Sequence, residues 1–168
     1  MRDAPRSWTR WLAVSAAVVA LDLATKAWVS AAFTPGETRE VTSFFNMVLM
    51  YNTGAAFSFL ANAGGWQRWF FTTVTIAISA VIVYMLRRQH GERTVAFALA
   101  LVLGGALGNL YDRVTLGHVV DFIQLHAAGY YWPAFNVADS AISVGVAILI
   151  WDSLTAGSAA GAAGQEKP

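Results

Sequence analysis

The sequence predicts an all-α membrane protein: four transmembrane helices, both termini on the cytoplasmic side, and a small extracytoplasmic β-like element. Composition is the first observation. Hydrophobic residues make up 57% of the 168 and charged residues only 12%, about half the charged share of a soluble domain. So little charge cannot cover a small soluble protein, but it suffices for the two ends of a membrane bundle. Spacing is the second observation: four apolar stretches each come near the ~20 residues that cross a bilayer core. The third is the placing of the basic residues, which sets orientation.

The first span is expected over residues 11–30. Arg2, Arg6 and Arg10 precede it, so a cleavable signal peptide is its rival reading. The apolar run, however, continues past Asp22 and ends in Lys26-Ala-Trp28, which suits a retained helix with an interfacial anchor. The second span is expected over 69–86, the third over 94–111 and the fourth over 134–151. The last two carry polar residues, tolerable where these face the bundle interior or the interface. Arg87, Arg88 and Arg93 lie between the second and third spans, on the side of the N-terminal arginines; Lys167 joins them. The positive-inside rule makes that side the cytoplasm.

Two segments, about 31–68 and 112–133, then fall outside. Thr34-Pro35-Gly36-Glu37 is a turn signal, and Val41 to Tyr51 is rich in aromatic and apolar residues without a helical stripe. Val119 to Ile123 is similarly β-favouring, and Ala128-Gly129 with Pro133 then breaks the chain. An extended element lying on the outer membrane surface follows, with Phe44, Phe45, Phe57 and Phe59 pressing it into the interface. The Gly/Ala/Ser-rich tail, 156–168, is expected to be disordered and cytoplasmic. No internal repeat is visible.

Several function classes are excluded. The chain has no cysteine, hence no disulfide, thiolate zinc site or cysteine nucleophile. A net charge of +1, with the basic residues scattered, gives no reason to expect nucleic acid. His118 and His126 with Asp121 fall short of a zinc set, and no His-Glu-x-x-His motif is present. A serine mechanism lacks its Gly-x-Ser-x-Gly elbow. No metal site is expected.

Polar groups placed where polarity is expensive mark the candidate site. Asp22 and Lys26 sit in the outer part of the first span, Asn109 near the outer end of the third and Arg113 just beyond it. Asp121 lies in the outer segment, and Asn136 and Asp139 open the fourth span, so all share one level. Two carboxylates suffice for peptide hydrolysis if they share a proton, one as base and one as acid. Asp121 and Asp139 are 18 residues apart, joined by a Gly/Pro-containing link that can fold them together. Plainer readings stand beside this. Asp139 with Ser140 suits a helix cap, and Asp121 with Arg113 an ion bridge. Asp22 and Lys26, spaced i, i+4, suit a structural pair with a snorkelling lysine. Asp112 reads as a solvated loop charge, Asp152 as a cytoplasmic interface residue, and the Gly104/Gly108 step as helix packing.

Five blocks carry a resemblance. Asp22-Leu-Ala-Thr-Lys26, Asn52-Thr-Gly-Ala-Ala-Phe-Ser58, Gly104-Gly-Ala-Leu-Gly-Asn-Leu-Tyr-Asp-Arg113, Gly117-His-Val-Val-Asp-Phe-Ile123 and Phe135-Asn-Val-Ala-Asp-Ser140 resemble, in order, those of bacterial lipoprotein signal peptidases (signal peptidase II). The resemblance implies a single integral membrane peptidase domain over 1–155. It implies an aspartyl endopeptidase, with no metal or cofactor, that removes the signal peptide from diacylglyceryl-modified prolipoproteins, cutting before the lipidated cysteine. The family's two aspartates fall on Asp121 and Asp139. Its other site positions fall on Asn52, Gly54, Gly108, Asn109, Arg113 and Asn136, and more loosely on Asp22 and Lys26. It further implies membrane lipid and globomycin-type inhibitors as partners, and a bacterial cytoplasmic (inner) membrane with the site facing outward. Asn52-Thr53-Gly54 then reads as a turn at the edge of the site, or as an ordinary hairpin turn. The runner-up function is a small proton-coupled transporter, whose intramembrane carboxylates relay ions; a third is a non-catalytic assembly subunit.

Overall fold

The computed structural model describes residues 8–53, 66–89 and 92–164. Elements run in the order α1 (Thr9–Ala32), β1 (Thr38–Thr42), β2 (Phe45–Asn52), α2 (Trp66–Arg88), α3 (Arg93–Thr115), β3 (Val119–Ala127), β4 (Tyr130–Tyr131) and α4 (Val137–Gly164). All four helices are long and apolar enough to cross a membrane. Gly54, Phe57 and Phe59 lie outside the described residues.

Protein covers only a seam of each peripheral helix, and on α1 that seam is mostly polar. On α1 the buried residues are Ser15, Asp22, Lys26 and Val29, while Leu21 and Trp28 face outward. A soluble helix would be turned the other way; here the solvent for the outer face is lipid. α3 is the central helix, packed against α1, α2 and α4. Its interior run is almost all small, from Ala96 through Gly108, which lets backbones approach closely. A Cβ on Gly104 would stand 2.7 Å from Cβ of Val18 and 2.8 Å from the Ser15 carbonyl oxygen. One on Gly105 would collide with the Ala138 carbonyl oxygen. The Gly104/Gly108 step is thus a packing face, directed at α1.

The extended element is a four-stranded antiparallel sheet in the order β1-β2-β3-β4. It is entered through the expected turn, where Gly36 takes φ 85° and the Glu37 N–H returns to the Thr34 carbonyl at 2.9 Å. Beneath the sheet lies an apolar cluster of Val29, Phe33, Leu49, Val120 and Phe122. A second cluster, built on Ile82, Leu86, Leu99 and Leu103, holds α2 to α3.

Two boundaries differ from expectation in ways that matter. α3 runs four residues past the expected end at 111 and takes Asp112 and Arg113 into the helix. It stops only where the Leu116 and Gly117 N–H groups fold back onto the Asp112 carbonyl, at 2.7 and 3.2 Å. Gly117, at φ 85°, supplies the left-handed turn that closes a helix. α4 begins at Val137 rather than 134, because Phe135 is still paired on β3. Its N–H reaches the Ile123 carbonyl at 3.0 Å, and its carbonyl accepts Phe122 and Ile123 at 3.0 and 2.8 Å. At its far end α4 continues to Gly164, through most of the tail expected to be disordered.

Candidate active site

The 18-residue gap between Asp121 and Asp139 is closed by backbone pairing. β3 turns at Ala128 and Gly129, at φ 50° and 83°, returns as β4, and comes back onto Ile123 through Phe135. That return sets Asn136 beside Asp121. Asn136 is also the N-cap of α4: its Oδ1 accepts the Asp139 N–H at 2.9 Å, and Asp139 Oδ2 accepts the Asn136 N–H at 3.3 Å. This reciprocal pair is a capping box. The capping role considered for Asp139 is therefore real, but Asn136 is the cap and Asp139 its partner one turn inward.

Each carboxylate accepts from one of two amides that are themselves hydrogen-bonded to each other. Nδ2 of Asn136 donates to Asp121 Oδ1 at 2.8 Å, and Nδ2 of Asn109 donates to Asp139 Oδ1 at 2.7 Å. The amides touch each other, Asn136 Nδ2 to Asn109 Oδ1, at 3.2 Å. From the sheet, Asn52 donates to Asp121 Oδ2 at 3.1 Å. Strand register explains this: Met50 stands opposite Asp121, and a strand's side chains repeat every second residue, so Asn52 shares that face. Asp121 is 3% exposed, while Asp139 is half-buried. Burial first, and the Asp139 charge second, push the Asp121 carboxyl up to about 7; the hydrogen bonds from Asn52 and Asn136 pull the other way.

Behind the carboxylates lies a buried ionic cluster. Lys26, 3% exposed, pairs with Asp22 Oδ2 at 2.7 Å and with Asp112 Oδ2 at 2.9 Å, and donates to Asn109 Oδ1 at 3.0 Å. The i, i+4 pair is present as expected, but the lysine does not snorkel: its ammonium is buried with three oxygens within 3.0 Å. Asp112 corrects the sequence reading outright: it is no solvated loop charge but is 2% exposed, inside α3. The missed signal was helical spacing, which puts Asp112 at i+3 from Asn109 on the same face. Gly108 makes room for this cluster, because a Cβ there would lie 2.6 Å from Asp22 Oδ2.

Arg113 makes no ion pair with Asp121 within 4 Å, so that reading of the two residues is set aside. Its Nη1 reaches the Asn109 carbonyl at 3.4 Å, its guanidinium lies over Phe71 at 5.6 Å, and its charge acts on Asp139, Asp121 and Asp112 from further off. The histidines do not converge: His118 packs on Tyr51 at 4.2 Å and His126 on Tyr131 at 5.3 Å. On the reverse face of the sheet, a cavity of about 490 Å³ opens between α1 and α3 and has Lys26, Asp112 and Val120 in its lining.

A sequence model of the signal peptidase (SPase) II family matches residues 14–155. The chain belongs to this family. Curated relatives carry the name lipoprotein signal peptidase. That of Cupriavidus necator is 57% identical over 144 residues, 86% of this chain and 82% of its own. That of Cellvibrio japonicus is 57% identical over 143, 84% of each. Two solved structures of bacterial membrane enzymes share the fold. One has a TM-score of 0.81 at 33% identity and covers 95% of this chain and 94% of its own. The other has a TM-score of 0.77 at 34% identity, with 87% and 93% covered. Family membership removes the ground for the transporter reading; of the carboxylates that suggested it, Asp22 is paired with Lys26 and Asp139 is held by Asn109 and the Asn136 N–H.

Proposed function

We propose that the chain removes signal peptides from prolipoproteins by an aspartyl mechanism, with Asp121 and Asp139 as its two catalytic carboxylates. The observation that carries the mechanism is their convergence on one pair of amides, Asn109 and Asn136, with Asp121 pushed up to about 7 by burial and by its neighbour. Below about pH 7 the shared proton then rests on Asp121. Asp139, which accepts hydrogen bonds at both oxygens, takes a proton from a water molecule as the oxygen attacks the scissile carbonyl. Asp121 gives its proton to the carbonyl oxygen, yielding a neutral gem-diol. Collapse returns that proton to Asp121, while Asp139 passes its own to the leaving amine. Asn52, Asn109 and Asn136 hold the carboxylates, and Arg113 supplies a fixed positive charge nearby. The substrate is a precursor bearing a diacylglyceryl-modified cysteine, cut just before that residue. Its acyl chains lie in lipid along the bundle, and globomycin-type cyclic peptides compete for the site. The termini lie in the cytoplasm, the sheet and the site on the outer face of a bacterial cytoplasmic membrane.

The test is cleavage of a diacylglyceryl-modified prolipoprotein by the purified protein in detergent with EDTA present, beside an unlipidated precursor. Wild type is expected to cut only the lipidated substrate. Asp121→Asn and Asp139→Asn are expected to fold, bind substrate and cut nothing. Substantial cleavage by either variant would remove the dyad.

A further inference from the structure

Asp112 has no part in that hydrolytic scheme, yet it is tied on every side. Its main-chain carbonyl ends α3 by accepting the N–H groups of Leu116 and Gly117. Its carboxylate Oδ2 pairs with Lys26 at 2.9 Å and accepts the N–H of Val120 at 3.1 Å. One residue thus stops the helix and catches the strand that follows, at the position just before Asp121. Asp22 does the matching thing on the other side. Its Oδ2 pairs with Lys26 at 2.7 Å, and its Oδ1 accepts the N–H of Ala138 at 2.9 Å, the position just before Asp139. Lys26 therefore stands between two carboxylates, each gripping the backbone beside one member of the dyad.

We propose that Asp112 is a positioning residue: with Lys26 and Asp22 it forms an ionic clamp that fixes the separation of Asp121 and Asp139 through their backbones. The proposal rests on the dyad reading above. Charge supports it. One aspartate would neutralise Lys26, and a second leaves excess negative charge in a buried place, which is costly. Holding α1 to α3 needs neither, since Lys26 already donates to Asn109 of α3. What the second adds is a grip on β3, at the strand position where a small displacement would alter the distance between the reacting carboxylates.

The experiment compares wild type, Asp112→Asn, Asp112→Ala and Asp112→Glu as full-length protein in detergent, on the diacylglyceryl-modified precursor. Asp112→Asn strands no charge, because Lys26 keeps Asp22, and it keeps an acceptor oxygen for Val120. It is expected to unfold at the wild-type temperature and hold KM within about twofold, while kcat falls about tenfold to a hundredfold, the range that a misplacement of about 1 Å can cause. Asp112→Ala, with no acceptor, should lose more kcat than Asp112→Asn at similar KM. Asp112→Glu keeps the charge on a longer stem and should also lose kcat rather than affinity; it decides the matter if the Asn variant fails to fold. Wild-type kcat in any folded variant, or kcat losses that merely follow the folded fraction, would overturn the clamp. If the wild type itself cuts nothing, the dyad reading has failed instead, and the two failures are thereby told apart.

Discussion

Asp121 carries an ionic state set by its surroundings, and that state has consequences for both stability and rate. Its folded value, about 7, lies above the ordinary 3.8, so between those pH values the native protein holds a proton that the unfolded chain has released. Stability linked to this group is full below about 4, declines as pH rises, and is lost once pH passes about 7. The cost at pH 8 is roughly 4 kcal/mol at most, from the size of the shift. Asp121→Asn should therefore raise the unfolding temperature, with a gain over wild type that widens from pH 4 to 7 and then levels off. Thermal unfolding of both proteins in one detergent across pH 4 to 9 checks this; a gain that shrinks with pH contradicts it. The same proton is needed for cleavage, so the rate should fall as pH rises through about 7. Asn136 offers a second residue-scale test. It caps α4 and holds Asp121, so Asn136→Ala should cost about 0.5–2 kcal/mol of stability through the cap and most of the turnover as well.

At the scale of elements, the meeting of α3 with α1 and α4 depends on glycines that nothing larger can replace. The neighbour of Gly105 is the backbone carbonyl of Ala138, which cannot swing aside as a side chain can. Gly105→Ala must push the start of α4 off α3 and carry Asp139 with it, for about 1–3 kcal/mol of destabilisation and a loss of activity out of proportion to it. Gly108→Ala meets a side chain, Asp22, and should act by prising that carboxylate from the Ala138 N–H. Turnover measured on the folded fraction of each variant separates displacement of the site from simple unfolding. The helices themselves were legible in the chain, because apolar runs of spanning length have few other uses. Their ends were less so. α4 begins late because Phe135 is occupied by β3, and α3 ends late because Gly117 and the Asp112 carbonyl are where the turn can close. Neither pairing leaves a local mark.

At the scale of the whole molecule, the proposed arrangement puts the sheet and the site on one side of the membrane and the α2–α3 connection on the other. The chain has no cysteine, so single labels can be placed freely. Trp132→Cys, at an exposed position beyond β4, should react with an impermeant maleimide added outside intact cells. Gln89→Cys, at the end of α2, should react only after the membrane is opened. The reverse pattern would invert the topology.

The sequence by itself determined that the chain lives in lipid, crosses it four times, and brings a few expensive polar groups to one level. Those facts follow from composition and period, which act locally and leave their signature in every stretch of chain. It also carried, block by block, a resemblance sufficient to name the reaction. The tertiary structure alone decided how the polar groups are joined: that Asn136 serves both the helix and Asp121, that Lys26 is shared between two aspartates, and that Asp112 is buried. The reason is physical. A buried charge takes its role from partners that reach it from other elements, and partners 86 residues away, such as Lys26 and Asp112, have no expression in local sequence.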